Sequence, residues 1–172
     1  MDYQKNCVAL ESTQWHDPDP RLLHASMGLV TETAELMDFD GWKNFLEELG
    51  DICWYTAVAA DALECTLMEL EDLGPDLDGD EDLMETMVVS AAVILDLQKK
   101  QIFYGRAYDR SVILTHLAQI YTCVELFAIE VGSNLEEILK LNLKKLHRRF
   151  PDKVFNADQA NNRNVDVEMS EF

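Results

Sequence analysis

Positive charge is scarce in this chain. Lys and Arg total 14 against 33 Asp and Glu, a net charge of −19 over 172 residues. Affinity for a nucleic-acid backbone comes from Lys and Arg displacing its counterions, so this balance excludes nucleic acid as a partner and requires metal to screen any polyanionic ligand. Proline and glycine are sparse at 4 and 7 residues. No Val/Ile-rich alternation bounded by hairpin turns occurs, which argues against strands. The 4 cysteines, Cys7, Cys53, Cys65 and Cys123, lack CxxC spacing, and three sit in apolar helical context where a thiol behaves as a small hydrophobe. The start MDYQKNCVALES has neither the basic opening nor the apolar stretch of a signal peptide, and no window reads as the ~18 apolar residues of a membrane span. The expectation is a soluble cytoplasmic protein with no membrane partner.

What remains is helical periodicity along nearly the whole chain, with 48% apolar residues, enough to build one domain with its own core. Helices are expected at about Tyr3–Thr13, from a cap at Asp19 with Pro20 in the first turn to Met37, and from Trp42 to Glu64. Thr66 and Glu69 form a capping box for a short helix stopped by Gly74 and Pro75. DLDGDED reads as an acidic linker, because Glu81 and Met87 replace the glycine and bidentate glutamate of a calcium loop. Further helices follow at Leu83–Ile102, Ser111–Val131 and Leu135–Phe150, capped by Asp109 and by an Asn134/Glu137 box. The stretch after Pro151 reads as a polar arm, partly disordered.

The caps repeat, and so does the pattern between them. ETAELMD (32–38) aligns with SAAVILD (90–96), and EELGDICWYTAVAADALECTLMEL (47–70) with THLAQIYTCVELFAIEVGSNLEEIL (115–139). The chain divides into repeat one (1–75), linker (76–82), repeat two (83–150) and tail (151–172). Each repeat is a helical hairpin, so the fold class is all-α, a four-helix-bundle core from two hairpins.

Two acidic pairs in repeat one, Glu32/Glu35 and Glu48/Asp51, have the three-residue spacing that shares a helix face. Glu48 and Asp51 continue a face through Ile52, Tyr55, Val58 and Ala62, so they stand at the mouth of an apolar seam where carboxylates need a cation. In repeat two the same positions are Ser90, Val93, His116 and Gln119, and the acids are gone. An all-oxygen ligand set selects Mg²⁺, or Mn²⁺, over zinc. The four histidines are dispersed and read as surface or loop residues. Basic residues concentrate in QKKQIFYGRAYDR, which contains Lys99, and in NLKKLHRRFPDK, where they are placed to grip outer phosphates or simply to offset a helix dipole. Trp54 reads as core, whereas Trp15 and Trp42 beside loops are stacking candidates for a base.

GLVTETAEL, EELGDICWY, QKKQIFYGRAYD and the closing NLKKLHRRFPDKVF with ANNR together resemble the all-α nucleoside triphosphate pyrophosphatase superfamily, MazG-like and of the bacteriophage type. The resemblance covers most of the chain and is sharpened by Asn142, Lys145, Arg149 and Pro151. It implies that Glu32, Glu35, Glu48 and Asp51 hold magnesium, that Lys145 and Arg149 are basic positions for substrate, and that Asn142 contacts sugar or phosphate. It implies hydrolysis of (deoxy)nucleoside triphosphates between the α- and β-phosphates, with guanine nucleotides favoured by some relatives, a dimer or tetramer, and a host cytoplasm if viral. Glu48 and Glu35 are the catalytic candidates, Glu35 as acceptor of the water proton. The chain departs from the pattern in placing QKKQIFYGRAYD in the acid-free repeat, so that Lys99 would reach the acids only across the bundle. The competing class is a non-enzymatic acidic protein that displays charge to a basic partner.

Overall fold

The computed structural model describes residues 16, 18–77, 82–168 and 170. Its first helix begins where local chemistry dictates. The Asp19 carboxylate accepts from the amides of Arg21 and Leu22, and Pro20 occupies the first helical position, whose N–H has no intrahelical partner. This helix, α1, is Pro20–Met37. It is followed by α2 (Gly41–Ala62) and α3 (Leu67–Leu73), the latter opened by the reciprocal Thr66/Glu69 box. Then come α4 (Leu83–Tyr104), α5 (Arg110–Glu130) and α6 (Leu135–Arg149), capped by Asp82, Asp109 and Asn134. Gly105 closes α4 in the left-handed region at φ 61°, a conformation that costs glycine nothing. Among the described residues the regular elements are all helical, as the periodicity requires. The helix expected at Tyr3–Thr13, Trp15 and the centre of the acidic linker lie outside the described residues.

α1 packs on α2 and α4 on α5, and the two hairpins join through α1 on α4 and α2 on α5. This is the four-helix core. Leu22, Leu29 and Leu36 form the buried stripe of α1, Leu49 and Ile52 face them from α2, and Met87, Ile94, Ile113, Leu117 and Ile120 complete the interior. Each such side chain contributes about 1.5–3 kcal/mol on full burial. α3 lies on α5, while α6 lies across α2 and touches α5. Arg110 links the hairpins, donating to the Leu63 carbonyl through Nε (2.8 Å) and Nη2 (2.5 Å) and so covering carbonyls left open at the end of α2.

Gly28 lets the first hairpin close. A methyl group there would overlap the Tyr55 ring from α2. Gly28→Ala is therefore expected to lower stability by about 1–3 kcal/mol in urea unfolding, despite the better helix propensity of alanine. A neutral result would mean that the Tyr55 ring moves aside freely.

The second hairpin gathers the residues that replace the acids. Ser90 Oγ donates to Gln119 Oε1 at 3.0 Å, and His116 Nδ1 lies 3.2 Å from the same hydroxyl. Ser90, His116 and Gln119 thus meet in the second hairpin, at the positions aligned with Glu32, Glu48 and Asp51 of the first.

Three sequence expectations change. α5 is long and apolar enough to cross a membrane by length and composition, but half of its most apolar window is buried inside the bundle. Its hydropathy reflects contact with α2, α3, α4 and α6. Asn134 accepts from the Glu137 amide, but the Glu137 side chain bonds to Ser133 Oγ at 2.9 Å instead of closing a box. The tail also folds back: α7 (Ala157–Asn161) and α8 (Val165–Glu168) follow Pro151, and α8 packs on α6. Ion pairing holds this polar segment in place, a force that hydropathy does not register.

Candidate metal centre

The acids of α1 and α2 converge because the helices are antiparallel neighbours and each pair occupies one face. Ligand oxygens of Glu32, Glu48 and Asp51 all lie within 4.8 Å of one another. That spacing suits one ion with metal–oxygen bonds of about 2.0–2.6 Å. A cluster of Glu32, Glu48 and Asp51 could therefore hold a metal ion, and the side chains present fit one. Glu48 is 4% exposed. Its Oε1 accepts from Asn44 Nδ2 at 2.6 Å, while Oε2 is buried with no hydrogen-bond partner. A buried carboxylate oxygen left without a donor is costly, and a hard cation satisfies it. Glu35, expected as a fourth ligand, is exposed and stands on the wall between the main cavity and an adjoining groove.

Asp51 is held from behind. Its Oδ1 accepts from Asn142 Nδ2 at 2.7 Å and its Oδ2 from Lys145 Nζ at 2.5 Å. Lys145 is fully buried and also pairs with Glu47 at 3.2 Å. Gly50 makes this approach possible, since a Cβ there would lie 2.9 Å from the Asn142 Cβ. Sequence reasoning gave Asn142 and Lys145 to substrate. In the structure neither lines the cavity, and both orient Asp51.

The cavity beside the cluster has a volume of about 510 Å³. Glu32, Glu35, Glu47, Glu48 and Asp51 form one side, and Arg149 and Arg163 line it as well, with His24, Trp54, Tyr55, Phe150 and Phe155 as its aromatic lining. Arg149 thus reaches the site as the sequence suggested. Trp42 does not: it stacks on Phe45 at the start of α2, half exposed. Lys99 pairs with Asp96 on its own helix and is absent from the cavity lining. Trp54, read as core, is a cavity residue.

Sequence reasoning missed His24, Asn44, Glu47, Arg163 and Glu168. Asn44 was findable, because it lies four residues before Glu48 on the same face. The ring of His24 meets the edge of Tyr55 at 5.4 Å, a contact made only when α1 and α2 pair.

Burial raises Glu32 to about 8, with the charges of Asp51, Glu35 and Glu48 adding to it. Burial likewise raises Glu48 to about 7, against the Asn44 hydrogen bond and with help from Asp51. Both groups bind a proton more tightly folded than unfolded, so their contribution to stability is present below the ordinary carboxyl range and is lost as pH rises through 7 and 8. Chelator-treated protein is therefore expected to melt lower at pH 8.5 than at pH 6, by on the order of 5 °C. Divalent metal should narrow that gap and bind with proton release. Melting temperatures that rise over the same interval would contradict the strained, metal-free cluster.

Compared with family models, curated proteins and solved structures, the chain matches none.

Proposed function

We propose that this chain is a magnesium-dependent nucleoside triphosphate pyrophosphohydrolase of the MazG-like kind, releasing a nucleoside monophosphate and pyrophosphate. The observation that carries the reading is one cavity lined by both a carboxylate cluster and two guanidinium groups. Glu32, Glu48 and Asp51, with the unpartnered oxygen of Glu48, offer a divalent site on one side, and Arg149 and Arg163 offer guanidinium groups in the same space. A triphosphate needs both, because its charge is too high to enter an acidic pocket without metal and too extended to be met by metal alone.

Magnesium is favoured over zinc because the donors are carboxylates, with manganese an acceptable substitute. When bound, the ion supplies Lewis acidity at the α-phosphate and makes a nearby water more acidic. The protein residues supply the rest. Asn44 fixes the orientation of Glu48, while Asn142 and Lys145 fix Asp51. In this reading Glu35, an exposed residue of the cavity lining, takes the proton of the attacking water. Arg149 stabilises charge on the departing pyrophosphate.

A panel of ribo- and deoxyribonucleoside triphosphates, incubated with and without Mg²⁺ and resolved by phosphorus NMR, tests the reading. Equal amounts of monophosphate and pyrophosphate, formed only with metal, are expected. Orthophosphate as the first product would assign a different phosphohydrolase. Inactivity across the panel would favour the charge-display alternative that a net charge of −19 also suits.

A further inference from the structure

The tail was the least promising part of the sequence, yet it carries one of the most buried carboxylates in the protein. Glu168, in α8, is 2% exposed. Two guanidinium groups meet on it. Arg149 donates from Nη2 to Oε2 at 2.7 Å and from Nε to Oε1 at 3.2 Å, and Arg163 Nη2 approaches the same Oε2 at 3.1 Å. Arg163 also reaches Glu47 Oε1 at 3.2 Å, tying the tail to the acidic helix α2. Burial works against the charge on Glu168, and the two arginines outweigh it and hold the carboxyl below its usual range.

The arrangement is directional. Arg149 and Arg163 both line the cavity, whereas Glu168 does not. The carboxylate therefore holds the guanidinium groups without itself lining the cavity. Among the described residues, Arg149 makes no bond from Nη1, and Arg163 bonds through Nη2 alone. The remaining N–H donors are available to a ligand. Two like charges drawn together by one buried acid repel each other, and a second anion on the open side relieves that repulsion. Planar forks presenting several donors match the oxygens of a phosphate group better than a lysine would.

We infer that Arg149 and Arg163 form a clamp for the terminal phosphates of a polyphosphate ligand, with Glu168 as the positioning residue that holds the pair together and aims it at the cavity. The inference rests on the reading of the cavity as a triphosphate site, and it makes the folded-back tail part of that site. Pyrophosphate, the shared chemistry of the leaving group and the outer two phosphates, is the minimal ligand. Glu47 has a double role, since it neutralises Lys145 and anchors Arg163.

The test is calorimetric titration of the full chain with inorganic pyrophosphate in the presence of Mg²⁺, using wild type, Arg163→Gln, Glu168→Gln and Glu168→Asp. Wild type is expected to bind. Arg163→Gln should weaken pyrophosphate at least about tenfold, as should Glu168→Gln, which touches no ligand, while Glu168→Asp recovers part of the loss. Affinity for Mn²⁺ alone, followed by electron paramagnetic resonance, should stay within about twofold in all variants, because the three metal-site acids are untouched. Wild type that does not bind pyrophosphate, or Arg163→Gln that binds it normally, overturns the clamp. Tighter binding by Glu168→Gln also overturns it, since the carboxylate would then be competing with phosphate instead of aiming the arginines. If Glu168→Gln melts early, Arg163→Gln decides, because Arg163 is more than a third exposed. Pyrophosphate binding in a protein that hydrolyses no nucleoside triphosphate would leave the clamp standing and remove the hydrolase.

Discussion

Glu48→Gln is expected to lower nucleotide turnover by on the order of 10³-fold while raising the melting temperature of the chelator-treated protein at pH 8. The two effects have one origin. Glu48 is nearly buried, its Oε2 has no partner, and burial with neighbouring charge lifts it to about 7. At pH 8 the metal-free fold must therefore carry a carboxylate that it would prefer protonated. A neutral amide removes that cost and keeps the shape, so stability rises. It also removes one of the three acids that gather a cation, and with it the charge that a divalent ion needs. Turnover with nucleoside triphosphate and thermal melts in chelator measure the two sides. If Glu48→Gln loses both activity and stability, the side chain is a structural acid and the metal reading fails. If it loses neither, Glu48 is a bystander.

The largest effect on folding is expected from Lys145→Met. Lys145 is wholly buried, and its ammonium group lies against Asp51 and Glu47. Methionine fills similar space but leaves Asp51 without its cation and Glu47 with Arg163 alone. Breaking one partner out of such a buried pair costs about 3–5 kcal/mol. The lower end applies here, because Asp51 retains 22% side-chain exposure and water screens it. Urea unfolding without metal measures the loss. Saturating Mg²⁺ or Mn²⁺ should restore part of it, since an ion at the cluster neutralises Asp51 from its other side. An unchanged midpoint would show that the buried lysine contributes nothing net. A full loss without rescue would separate Asp51 from the metal.

These outcomes depend on features that differ in how readable they were. The acidic pairs were visible because a helix converts three-residue spacing into a shared face, and on α2 the apolar continuation of that face put Glu48 and Asp51 at the mouth of a seam, where the structure buries Glu48 and half-buries Asp51. The caps at Asp19, Asp109 and Thr66 were visible for the same local reason, since a capping side chain bonds to amides two or three residues away. Lys145 was seen as a cation but not as a buried one. Its spacing within α6 says which face it shares with Asn142, and nothing about the acids waiting on α2. Trp54 was misread in the opposite sense, because its neighbours are apolar while the cavity beside it is made by α6 and the tail. Arg163 and Glu168 were invisible as a pair, since each belongs to a stretch whose composition reads as solvated.

What the sequence determined by itself, then, is what rests on contacts within a few turns: helices, their caps, the doubled hairpin and the two acidic faces. Tertiary structure alone decided which charges meet. It put Glu32 beside Glu48 and Asp51, buried Lys145 behind them, left Glu35 at the edge, and brought the tail back so that one carboxylate holds two arginines. The physical reason is range. Hydrogen bonds and helical periodicity act between near neighbours along the chain, whereas the cost of burying a charge is set by every element packed around it.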